Sequence, residues 1–193
     1  IESIGGQAIM TSDVHKRASD RCAEALGYLE KNDNIKYDII VMAQGDEPMI
    51  LPDMISEAVK PMIDNENILV TNLLGNIDSV EEFEDRNCIK VVIDLNSDAL
   101  YFSRQPIPTN NVIEKKLMKK QVCVIPFRRD FLLKYTQLDP TPLEIQESID
   151  MMRVIEHGFK VKMISTKHVS YAVDTPEDLK KVEGIMKKSN LSR

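Results

Sequence analysis

The sequence predicts an α/β fold: a mostly parallel sheet with helices on both faces and a small antiparallel excursion. Three observations carry this expectation. Strand-like and helix-like segments alternate along the 193 residues. The run Tyr37 to Ala43 (YDIIVMA) is unbroken and apolar, the pattern of a central strand covered on both faces. Acidic, turn-forming segments follow strand-like runs at two distant places, Gln44 to Pro48 and Val173 to Asp178. In open α/β sheets, ligands bind at such strand ends.

Taken in order, Gln7 to Met10 is a short apolar segment and Thr11 to His15 a polar loop. Ser19 or Asp20 is placed to cap a helix running to about Glu30, within which Cys22, Ala25, Leu26 and Leu29 recur at helical spacing. After the strand at 37–43, Leu51 to about Met62 reads as a helix with Pro52 in its first turn. Ile68 to Leu74 is a strand and Ser79 to Asp85 a helix. Cys88 to Asp94 and Ala99 to Ser103 form a strand pair across Asn96-Ser97. Pro106 to Lys120 is polar and aperiodic, and Gln121 to Phe127 is again a strand. Leu143 to His157 is an amphipathic helix that turns Ile149, Met152, Val154 and Ile155 to the core. Val161 to Ile164 is the last strand. The last helix opens at Thr175, with Leu179, Val182 and Met186 spaced for packing, and Lys187 to Arg193 is a frayed tail. No composition break divides the chain, so residues 1–193 form one domain.

Composition narrows the function classes. Apolar residues make up 42%, enough to bury a core without disulfides or structural metals. Basic residues number 25 against 31 acidic ones, a net charge of −6, unlike the basic footprint of a nucleic-acid binder. A nucleotide site remains compatible, because a metal ion neutralises phosphates locally. Cys22, Cys88 and Cys123 are far apart and lack metal-binding spacing, so they read as reduced thiols of an intracellular protein. No apolar run is long enough to span a bilayer, and no signal or lipidation motif is present.

Two segments carry chemistry. In Gln44-Gly45-Asp46-Glu47-Pro48, Asp46 follows a buried strand, where a carboxylate suits a hard divalent cation beside a polyphosphate. Gly45 is expected to let the backbone turn sharply near a ligand, and Pro48 holds Glu47 extended. A plain strand-to-helix turn is the competing reading. In Val173-Asp174-Thr175-Pro176-Glu177-Asp178, Thr175, Pro176 and Asp178 make a good helix start on capping grounds alone. Asp174 precedes that cap at the end of a strand-like segment and is not needed for it. Two such carboxylates from distant strand ends, with phosphate oxygens, make a Mg²⁺ site. Arg104 is suited to a bidentate carboxylate clamp or to a structural ion pair. Lys90 lies in a strand run, and an exposed edge position is its plain alternative. His157 and His168 have no motif around them and read as surface or satisfied residues; the ten methionines are core filler.

Five segments in this order and at these spacings resemble one family: Gln44 to Pro48, Lys90 to Asp94, Ala99 to Arg104 with Ile107-Pro108, Pro142 to Glu144, and Val173 to Leu179. The chain is similar to the sugar-acid cytidylyltransferases of the CMP-Kdo synthetase (3-deoxy-manno-octulosonate cytidylyltransferase) type, from about Gly5 to Met186. The resemblance implies a Rossmann-like sheet of the nucleotide-diphospho-sugar transferase type. It also implies a cytoplasmic, Mg²⁺-dependent enzyme of lipopolysaccharide precursor synthesis. CTP and an ulosonic acid would give a CMP-sugar and pyrophosphate, with the anomeric hydroxyl attacking the α-phosphate. Asp46 and Asp174 would hold the metal and serve catalysis. Ser19, Arg21 and Gln44 would lie at the nucleotide, with Arg21 alternatively paired to Asp20, and Arg17 either a solvated charge or a phosphate contact. Lys90, Arg104, Gln121 and Glu147 would lie at the sugar. The partners implied are CTP, an acidic sugar and a second copy of the chain, with residues 106–128 as the candidate dimer contact. Neither a nucleic-acid polymer nor membrane insertion is implied.

Two departures qualify the resemblance. The family's phosphate-cradling strand and loop would precede Ile1, so the 193 residues alone are expected to be inactive or nearly so. On the sugar side, Gln121 stands where many relatives carry His, and Met151 where many carry Gln, whereas Glu147 and Arg153 match. Losing two polar groups from a pocket would favour an acceptor other than Kdo. A nucleotidyltransferase for another acceptor, or a non-catalytic binding subunit of the same fold, are the alternatives.

Overall fold

The computed structural model describes residues 1–108 and 114–189. In chain order the elements are α1 (Ala18–Asp33), β1 (Ile39–Ala43), α2 (Pro52–Asp64), β2 (Thr71–Asn76), α3 (Val80–Glu84), β3 (Lys90–Ile93), β4 (Ala99–Ser103), β5 (Lys119–Val122), β6 (Val124–Arg128), α4 (Arg129–Tyr135), α5 (Pro142–Glu147), α6 (Asp150–Glu156), β7 (Lys162–Ser165) and α7 (Pro176–Ser189).

The α/β class is as expected, and the strand directions are mixed. Five strands lie in the order β4-β3-β5-β2-β7, and β1 pairs with β6 beside them. Strands β2 and β7 are parallel. β1 runs antiparallel to β6, and Val70, just before β2, bridges antiparallel to Phe127 of β6. It follows that β1, β2 and β7 share one direction, with the β5–β6 stretch running against them. The β3–β4 hairpin supplies the antiparallel excursion, across the expected turn. Antiparallel neighbours are therefore more numerous than strand–helix alternation implies, because periodicity does not report strand direction.

Packing explains the layers. α2 turns Met54, Ala58 and Met62 inward, each fully buried, and Met54 and Ala58 pack against Leu73, Val122 and Val124. Burying one such side chain contributes about 1.5–3 kcal/mol. The larger core joins Val70, Leu74, Phe127 and Phe102 of the sheets to Leu26, Leu132, Tyr135 and Met152 of the helices.

Several elements differ from expectation. Gln7 to Met10 forms no strand, and α1 starts at Ala18, so Ser19 lies inside the helix rather than capping it. The run 121–127 is two strands. Cys123 between them gives its N–H to Glu47 Oε1 at 3.2 Å, and its carbonyl accepts from Gln44 N at 3.4 Å. The run 143–157 is two helices, because Ser148 adopts a left-handed conformation with φ 56°. Ile155 is only half-buried, and Leu179 is exposed while Val182 is buried. Of the candidate dimer segment 106–128, β5 is paired on both sides by β2 and β3 and β6 lies against β1, so residues 119–128 belong to the sheets. Residues 109–113 lie outside the described residues, as do 190–193 of the expected tail. Among the described residues no helix is long and apolar enough to cross a membrane.

Candidate active site

The β1–α2 turn, the end of β5 and the segment before α7 enclose a cleft of about 340 Å³. A second lobe of about 220 Å³ adjoins it, and Gln44, Ile89, Arg104, Gln121 and Cys123 line both. Asp46 and Asp174 line the first lobe. The main chain ties them together: Val173 donates its N–H to the Asp46 carbonyl at 2.8 Å. Contrary to expectation, Asp174 does not end a strand: the segment between β7 and α7 carries no regular structure. The helix start beyond it does form as expected. Thr175 N donates to Asp178 Oδ2 at 2.9 Å, and Asp178 N to Thr175 Oγ1 at 3.2 Å.

Electrostatics mark the pair as unfinished. Asp46 Oδ1 is buried with no hydrogen-bond partner. Burial and the neighbouring Asp46 charge push the Asp174 carboxyl above the usual aspartate range. A buried, unpaired carboxylate oxygen is costly unless a cation or donor meets it. Hard oxygen donors with an open side fit Mg²⁺, which keeps waters and takes phosphate oxygens. Among the described residues no group of three or more His, Cys, Asp or Glu side chains is arranged to hold a metal ion. Gly45 has no left-handed φ, so the expected sharp turn does not need glycine; a Cβ there would meet only open space.

The other sequence-derived candidates separate into lining and supporting residues. Gln44, Arg104 and Gln121 line both lobes. Arg104 is held from behind: Nε donates to the Glu147 carbonyl at 2.8 Å and a terminal nitrogen to the Arg86 carbonyl at 3.0 Å. Gln121 Nε2 donates to Asn72 Oδ1 at 2.5 Å.

Four other sequence-derived candidates, Lys90, Glu147, Ser19 and Arg21, line neither lobe. Lys90 is fully buried, and its Nζ donates to the carbonyls of Asp85, Cys88 and Arg104 at 2.6, 2.6 and 2.8 Å. Glu147 is likewise consumed, accepting from Tyr101 OH, Ser103 Oγ and the Arg104 N–H. Ser19 is fully buried and gives its hydroxyl to Asp150 Oδ2 at 3.0 Å. Arg21 ties down the preceding loop through Thr11, Ser12 and His15, not through Asp20. Met151 is fully buried in the core and lines neither lobe, so its apolar character says nothing about the acceptor.

Sequence reasoning missed Glu47, Lys120 and Ser170 in the first lobe and Asp150 in the second, which Arg17, left open between a solvated charge and a phosphate contact, also lines. Glu47 stood inside a motif already noted. Lys120 gave a signal as a charged residue before an apolar strand run. Cys123 lines the cleft, but burial and surrounding carboxylates push its thiol up, so it stays protonated. No described cysteine forms a disulfide.

The cytidylyltransferase family profile matches residues 1–168. The chain belongs to the cytidylyltransferase family. It is 40% identical to the 3-deoxy-manno-octulosonate cytidylyltransferase of Geotalea uraniireducens, over 97% of this chain and 77% of that protein. The enzyme of the same name from Fusobacterium nucleatum is 35% identical, over 98% and 75%. A solved structure of CMP:2-keto-3-deoxy-manno-octonic acid synthetase complexed with CTP superposes with a TM-score of 0.84 at 34% identity, covering 97% of this chain and 75% of that one. The inositol-1-phosphate CTP transferase of T. maritima shares the fold, with a TM-score of 0.51 at 13% identity. This cytidylyltransferase is thus a nucleotidyltransferase.

Proposed function

We propose that this cytidylyltransferase joins CMP from CTP to 3-deoxy-manno-octulosonate, releasing pyrophosphate, with Mg²⁺ held by Asp46 and Asp174. The juxtaposition of these two carboxylates, one with an unpartnered oxygen, carries the reading. Bound there, Mg²⁺ supplies charge neutralisation for the phosphates. Arg104 presents a guanidinium, fixed by main-chain carbonyls, to the acceptor's carboxylate. Gln44 and Gln121 offer amide groups where the two lobes meet. The acceptor's anomeric hydroxyl forms the new bond to the α-phosphorus as the bond to the β-phosphate breaks. The protein's contribution is to orient and to stabilise charge, without a covalent intermediate.

Kdo is the acceptor of choice because the relatives carry its name and because Met151 does not face the cleft. The test is kcat/KM for pyrophosphate release with Kdo against other ulosonic acids, and with CTP against UTP. The expected result is preference for CTP and Kdo. A clear preference for another sugar acid would make Gln121 a specificity position and overturn the choice of acceptor.

A further inference from the structure

The segment from Thr166 to Thr175 carries Asp174 but contains no helix or strand of its own. Its placement therefore depends on contacts from outside, made at Thr166, Tyr171 and Val173 and, through two side chains, at Ser170, which is 2% exposed. Ser170 Oγ donates to Glu47 Oε2 at 2.5 Å, and its carbonyl accepts from Lys120 Nζ at 2.7 Å. Each partner is anchored in turn. Glu47 Oε1 receives the Cys123 N–H at the break between β5 and β6. Lys120 Nζ also donates to Glu82 Oε1 at 2.5 Å and lies 4.6 Å from the centre of the Tyr171 ring. Gly75 on the paired strand leaves room for the lysine stem: a Cβ there would stand 3.3 Å from Lys120 Cγ and Cε. Three residues beyond Ser170, the Val173 N–H meets the Asp46 carbonyl.

We propose that Glu47 and Lys120 are positioning residues, which grip Ser170 from its hydroxyl and its carbonyl and so set Asp174 beside Asp46. This rests on the reading of those two aspartates as the metal pair. Neither residue needs to touch the cation. Groups that orient metal ligands typically change metal affinity by about 10- to 100-fold when removed.

The experiment measures Mn²⁺ binding by electron paramagnetic resonance in the presence of CTP, alongside thermal melting. Lys120→Met is expected to weaken Mn²⁺ binding about tenfold, and Lys120→Arg to restore most of it by keeping a donor to the Ser170 carbonyl. Ser170→Ala, a milder change, is expected to weaken binding in the same direction and serves if Lys120→Met does not fold. Unchanged Mn²⁺ affinity in a variant whose melting temperature falls would overturn the inference, leaving Lys120 a structural residue only. Absence of Mn²⁺ binding in the unmodified protein would instead overturn the metal reading, and the inference with it.

Discussion

The aspartate rim and the arginine wall border neighbouring parts of one cleft system, yet their polar atoms are used very differently. On the wall, Glu147 accepts from Tyr101, Ser103 and the Arg104 N–H, and nearby Arg153 meets Glu144 through two bonds of 2.7 and 2.6 Å, while the Arg104 guanidinium is held by main-chain carbonyls and keeps its charge for a ligand. On the rim, Asp46 Oδ1 has no partner and Asp174 carries a raised carboxyl beside it. Charge that is fully paired holds shape; charge left unpaired is available to a ligand. Lys90, Ser19 and Glu147, which line neither lobe, are of the paired kind.

The largest expected effect breaks the paired side. Arg153→Met removes the two shortest bonds to buried Glu144, leaving it Arg17 Nε at 3.3 Å and the Thr141 N–H, and removes the cation over the Tyr135 ring. Urea unfolding should show a loss of about 3 kcal/mol, the low end for a broken buried pair. A loss below about 1 kcal/mol, the worth of an exposed pair, would mean the pair is solvated.

On the rim the opposite pattern is expected. Asp46→Asn should lower kcat about 10²- to 10³-fold while the melting temperature holds or rises, because a like-charge contact is relieved. A variant that loses stability as much as activity would place Asp46 with the structural residues. Lys90→Met should do the reverse again. Three carbonyls lose their donor, with a cost of about 1–3 kcal/mol in unfolding experiments. KM for the sugar acid should stay near its original value in the folded fraction.

The smallest effect is a titration. Asp174 should ionise above the ordinary aspartate range by carbon NMR, and its value should fall in Asp46→Asn as the neighbouring charge is removed. Its folded-state pKa is raised, so protonation favours the folded state. That contribution is complete below the unfolded value and is lost as pH rises through the folded one. Equal titration in both proteins would show that Asp46 does not act on Asp174.

Local chemistry made part of this legible in advance. The Thr175–Asp178 capping box, the hairpin across Asn96-Ser97 and the Pro52 helix start all depend on residues a few positions apart. So did the two aspartate motifs that ended in one cleft. What escaped was decided at long range. The break at Cys123 exists because Glu47, 76 residues away in sequence, takes its N–H. The break at Ser148 uses a left-handed serine, braced by Arg17 to its hydroxyl at 3.2 Å, where sequence rules look for glycine. Lys90 reads as polar within a strand, and only the tertiary fold brings three carbonyls to its ammonium group.

The most direct measurement is paramagnetic broadening of aspartate and glutamate carboxyl carbons by Mn²⁺ with CTP present. The expected result is that the Asp46 and Asp174 carbons broaden first and together, while Glu147 and Glu144, already paired, broaden least. Broadening that spares Asp46 or Asp174, or that centres on another acidic group such as Glu82 or Asp85, would contradict the assignment of the metal to this pair.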